Sequence, residues 1–131
     1  MAGAPPLLAA FPIHATAAAI DLDRARRWYA DKLGMHPERE DAGGVWYRFG
    51  ADTWLYLYST PSAGSAKNTI AGWTVTRIEA VIADLRHRGV TFEDYDFGEV
   101  KTVGGVADFG MGKAAWFKDS EGNTYELSEV L

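Results

Sequence analysis

The chain has no cysteine among its 131 residues, which excludes disulfides, thiolate catalysis and zinc–thiolate sites together. Three histidines and the carboxylates are all that remain as side-chain metal ligands. Basic charge is also scarce: 13 Lys and Arg against 18 Asp and Glu give a formal charge of -5. Nucleic acids and anionic membranes need a concentrated basic surface, which this balance does not supply. The basic cluster at residues 24–27 is offset by an acidic run at 92–99, and both read as solvated surface. Long apolar runs are missing as well. The opening stretch is broken by Pro5, Pro6 and Pro12 and lacks a basic leader, so it reads as neither a signal peptide nor a membrane span. Residues 1–10 are expected to form a flexible arm on a cytoplasmic protein.

Aromatic residues, by contrast, are plentiful, at 13% with five tryptophans. At 131 residues and 47% hydrophobic content, the chain suits one domain with a full-sized core. That leaves rings to spare for a pocket.

The pattern of elements is stated twice. In the first half a short apolar strand, HATAAAI, leads into DLDRARRWYADKLG, where Asp21 can cap a helix. Leu22, Ala25, Trp28, Tyr29 and Leu33 recur at helical spacing and Gly34 ends the run. Alternating segments through residue 60 then read as a meander of strands. After a small-residue linker at 61–67, TIAGWTV opens a second unit. Its helix begins at a capping box of Thr76 and Glu79 and closes at Gly89, and three further strands come after it. The fold class is therefore α+β: two tandem βαβββ modules, 11–60 and 68–131, within one domain spanning 11–131. Neither module can cover its own sheet, so the two are expected to form an open, barrel-like mixed sheet around a cavity, with helices on the outer face.

Strand alternation assigns the faces. Leu55 and Leu57 point beneath a helix, leaving Trp54, Tyr56 and Tyr58 for the cavity. The same period puts Tyr125 and Leu127 under a helix and turns Glu126 inward. An ionised carboxylate there needs a partner, and Tyr56 is the expected donor. Ala15, Ala17, Ala19, Ile70 and Gly72 are expected as small or apolar walls, with Trp46 as a further wall. The glycine-rich stretch at 103–113 is expected to carry Phe109 and Met111 over the pocket mouth, an ordinary hairpin being the alternative.

DLDRARRWYADKLGM and WFKDSEGNTYEL resemble the first helix and final hairpin of the vicinal oxygen chelate superfamily, the glyoxalase, bleomycin-resistance and extradiol-dioxygenase group. The resemblance covers residues 12–131. It implies paired βαβββ modules around a cavity, dimers, and four strand positions that hold metal in the metal-dependent members. Those positions map to Ala15, Tyr56, Ile70 and Glu126, of which only Glu126 is an ordinary ligand. His14, next to Ala15, is expected on the opposite face by the strand period.

No metal and no other cofactor is therefore expected. The first expectation is a metal-independent binding protein, a homodimer, that holds an aromatic or polycyclic small molecule against Trp54, Tyr58, Trp46, Ala15, Ile70, Gly72, Phe109 and Met111. Its rival is a metal-free isomerase, lyase or cyclase in which Glu126 is the general base and Tyr56 polarises the substrate. A third reading has the cavity filled by side chains and the domain acting through protein association.

Overall fold

The structure is a computed structural model that describes residues 3, 4 and 6–130. Strand β1 (Ala15–Ala19) runs into helix α1 (Leu22–Trp28), followed by strands β2 (Arg39–Glu40), β3 (Gly44–Phe49) and β4 (Thr53–Ser59). The second unit opens in the same way with β5 (Thr69–Thr74) and α2 (Ile78–His87), but five strands follow where three were expected: β6 (Asp96–Phe97), β7 (Val100–Val103), β8 (Val106–Asp108), β9 (Gly112–Lys118) and β10 (Thr124–Val130). The sheets are ordered β1-β4-β3-β2 and β5-β10-β9-β8-β7-β6, open rather than closed into a barrel. In each, the first strand lies parallel to the last, which a crossover through the intervening helix allows.

Asp21 caps α1, its Oδ1 accepting from Arg24 N at 3.0 Å. A wider π-type turn, Tyr29–Leu33, extends the helix to Gly34, whose φ of 69° is the left-handed stop that a side chain would resist. The capping box expected at α2 does not form. Arg77 occupies the cap with φ 54° and no side-chain cap, and the Glu129 carboxylate on β10 accepts from Arg77 N at 2.8 Å and Ile78 N at 3.2 Å. Glu79 pairs with Lys113 instead, at 2.6 Å. A carboxylate from a neighbouring strand serves the orphan amides as well as a local cap would.

One apolar cluster spans both modules. It joins Val45, Tyr47, Leu55 and Leu57 to Ala115, Phe117, Tyr125 and Leu127, with Ala25 and Tyr29 of α1 and Ile78, Ile82 and Leu85 of α2. Tyr29 Oη donates to Asp119 Oδ2 at 2.7 Å and shares a hydrogen bond with Tyr125 Oη at 2.5 Å, so the first helix is tied to the second sheet. Burial pushes the Tyr125 hydroxyl well above its ordinary range. The β9–β10 turn adds a second tie. Glu121, whose side chain is 0% exposed, accepts from Ile20 N and Asp21 N at 3.0 Å each and from Arg24 Nε at 2.8 Å. The Arg24 guanidinium, with the Asp21 amide and Ser120, holds that carboxyl down at about 2. Among the described residues no helix is long and apolar enough to cross a membrane.

Candidate functional site

The face of the four-stranded sheet turned away from the core is an aromatic surface. The ladder puts Trp46 opposite Tyr56, Arg48 opposite Trp54 and Arg39 opposite Trp46, so these side chains share one side. Trp46 and Tyr56 lie 4.5 Å apart by ring centroids, while Tyr56 and Tyr58 stack at 5.9 Å with planes 6° apart. Trp54 meets Trp46 edge-on at 6.3 Å. All four rings are half-buried: each is held by its neighbours with part of its surface left to solvent.

Tyr56 does not reach Glu126. Its hydroxyl donates to Asp41 Oδ1 at 2.9 Å, and Asp41 also accepts from Trp46 Nε1 at 3.3 Å and from the amides of Gly43 and Gly44. Tyr56 and these other donors hold the Asp41 carboxyl below its ordinary range, and the same bond to Asp41 raises the Tyr56 phenol. Nothing in the strand pattern gave this away, because Asp41 lies in the turn before β3.

Glu126 faces away from the core as its period requires, yet its partner is the residue across the ladder: Trp116 Nε1 donates to Glu126 Oε2 at 3.1 Å. Gly72 sits beside it, and a Cβ there would stand 2.9 Å from the Glu126 carbonyl oxygen, so this glycine serves close strand approach. Trp116 itself is only 9% exposed, in a small cluster with Ala107 and Ala114 against which Tyr95 and Val100 pack. Around Trp116 the away-facing side of the six-stranded sheet is thus packed by its own chain.

Strand β1 requires a correction. Ala15 pairs with Leu55 and Ala17 with Leu57, so Ala15, Ala17 and Ala19 face the core, not the aromatic side. Ala17 and Ala19 are fully buried, so at these two positions small size lets the core close over β1 and opens no space for a ligand. Thr16 and Ala18 take the other face, and the His14 ring lies 4.9 Å from Trp46. His14 therefore joins the aromatic surface from which the strand period was expected to exclude it.

A hollow of about 430 Å³ opens where β1 and β4 meet β5 and β10. Its lining brings Trp54, Ala15, Ile70 and Gly72 together with His14 and Trp73. A smaller hollow of about 180 Å³ farther along the seam takes Tyr58, Ile70, Thr16 and Asn123. Trp46, Tyr56 and Glu126 line neither. Phe109 and Met111 flank a tight turn between β8 and β9, closed by Phe109 N donating to Gly112 O at 2.9 Å. They are 50% and 82% exposed and also line neither hollow, so the hairpin alternative describes this segment better than a flap does.

The sequence matches the model of the Glyoxalase/Bleomycin resistance protein/Dioxygenase superfamily over residues 12–127. The chain belongs to this family. Among solved structures, a glyoxalase/bleomycin resistance protein from Streptomyces sp. CB03234 is 26% identical with a TM-score of 0.58, covering 86% of this chain and 94% of its own. The glyoxalase family protein from Enterococcus faecalis is 25% identical with a TM-score of 0.64, covering 88% and 94%. TnmS3, an antibiotic binding protein from Streptomyces sp. CB03234, is 24% identical with a TM-score of 0.61, covering 93% and 98%. No curated protein gives a significant match. The metal that some members of the glyoxalase family carry does not suit the donors present here. Ala15 faces the core, Ile70 has no donor atom, Tyr56 is committed to Asp41, and Glu126 is left as a single carboxylate. Among the described residues no three His, Asp or Glu side chains converge on one point.

Proposed function

We propose that the protein binds an aromatic or polycyclic small molecule without a metal, holding it in the seam hollow against Trp54 and the rings beside it. The observation that carries this reading is the half-buried ring set Trp46, Trp54, Tyr56 and Tyr58, left part-open on its sheet face, whereas Trp116 on the second module's sheet is packed by its own chain. Stacking rings beside an apolar hollow favour flat ligands. The antibiotic binding of TnmS3, a relative in fold, is consistent with it. A hollow of about 430 Å³ also argues against a cavity filled by side chains.

The catalytic alternative, Glu126 as base with Tyr56 as its partner, has less support, because each makes its hydrogen bond elsewhere. The core that runs through both modules supports a single domain from residue 11 onward. The exposed apolar Leu7, Leu8, Phe11 and Ile13 support a homodimer, which sedimentation would check, and a cytoplasmic location completes the proposal.

The test is a thermal-shift and tryptophan-fluorescence screen of polycyclic aromatic compounds, with each hit recovered and weighed by mass spectrometry. Saturable binding, at least tenfold weaker in Trp54→Ala, with the compound returned unchanged, is the expected result. Time-dependent conversion that stops in Glu126→Gln would transfer the case to the enzyme reading.

A further inference from the structure

The aromatic face carries charge as well as rings. Arg48 is paired twice, with Glu38 at 2.8 Å and Asp52 at 3.3 Å, and its guanidinium stands 4.7 Å from the Trp54 centroid. Arg39 stands 5.1 Å from the same centroid, yet among the described residues no carboxylate pairs with it. The acids nearby are already engaged. Glu40 takes Arg26 at 2.6 Å, Glu38 and Asp52 take Arg48, and both Asp41 oxygens accept from Tyr56, Trp46 and two backbone amides. Trp54 is also a wall of the seam hollow, so one indole connects the apolar space to a guanidinium with its donors free. A planar fork of donors held over a ring is the arrangement that grips a carboxylate while an attached aromatic system stacks.

We infer that the ligand is an aromatic acid, with its ring system against Trp54 in the seam hollow and its anionic group paired by Arg39. This rests on the proposed function and specifies the ligand class for the same site. Arg39 projects from β2, the short outer strand of the four-stranded sheet, so an anion reaches it from solvent without crossing the core. The ring supplies contact area and the arginine supplies orientation and the choice between charged and neutral ligands.

The test compares 2-naphthoate with 2-naphthamide, nearly equal in shape and different in charge, by fluorescence titration at low and high salt. The acid is expected to bind about tenfold more tightly at low salt, an advantage that shrinks as salt rises. The advantage should vanish in Arg39→Gln while the amide binds as before, and it should survive in Arg27→Gln, an exposed arginine on α1. Equal binding of acid and amide, or a preference that persists in Arg39→Gln, overturns the assignment of the anion and leaves the aromatic hollow standing. Failure of both compounds to bind at millimolar concentration overturns the hollow as a ligand site, and this inference with it.

Discussion

On the four-stranded sheet, Trp46, Trp54, Tyr56 and Tyr58 lie half-buried on the side away from the core, in contact with one another and with the polar residues around them. On the same side of the six-stranded sheet, Trp116 is packed with Tyr95, Val100, Ala107 and Ala114. The difference arises in the chain beyond each helix. The first module returns to its sheet through the two-residue strand β2, whereas the second adds β6, β7 and β8 as further strands of its own sheet, and Tyr95 and Val100 from that stretch pack against Trp116. Repetition of a βαβββ plan therefore does not duplicate a binding surface. One copy spends its rings on stability and the other leaves them available.

The comparison can be broken most directly at the tryptophans. Trp116→Ala should cost about 4 kcal/mol in urea unfolding, because it empties a packed cluster. Trp46→Ala should cost under about 1 kcal/mol, its ring being part solvated. Similar losses at the two sites would erase the distinction between plugged and open faces.

The carboxylates that serve the two helix starts give the next contrast. Glu121→Ala strips the Ile20 and Asp21 amides of a buried acceptor and should cost about 3 kcal/mol, with half-exposed Arg24 adding little. Glu129→Ala, at the less buried start of α2, should cost about 1 kcal/mol. Acid unfolding checks the same residue. The Glu121 carboxyl titrates at about 2 in the folded chain against an ordinary 4.5, so between those values the unfolded chain binds more protons. Its stabilisation is complete above about pH 4.5 and is lost as pH falls towards 2, and Glu121→Gln should flatten that part of the curve.

The smallest effect lies between two buried tyrosines. Tyr125→Phe removes a hydroxyl bonded to Tyr29 and should cost about 1 kcal/mol. Tyr47 Oη is buried without a hydrogen-bond partner, and desolvation pushes it up to about 12. Tyr47→Phe should therefore be neutral or stabilising by up to about 1 kcal/mol in the same urea unfolding.

Local chemistry carried much of the fold. Asp21, the apolar spacing to Leu33 and the stop at Gly34 describe the first helix from neighbouring residues alone. The period of two placed Leu55 and Leu57 in the core and turned Glu126 away from it, because β4 alternates throughout and β10 alternates from Tyr125 to Ser128. It failed on β1, where every other candidate is alanine and a run of small residues marks no face. Contacts between distant residues left no local mark either. Asp41 reaches Tyr56 from a turn, Glu129 replaces a capping box from another strand, and Trp116 claims the carboxylate that alternation alone assigns to Tyr56. The ring surface was legible, but its partners and the arginine beside it were not.

Glu121 sits a hundred positions after the amides it receives. A ribosome delivering this chain releases the first helix long before the acid that steadies its opening turn, so the amino-terminal half must wait for the last hairpin to emerge before it can close. Pairings of such long sequence separation slow folding, and a chain cut short before that hairpin would leave its earliest helix without its anchor.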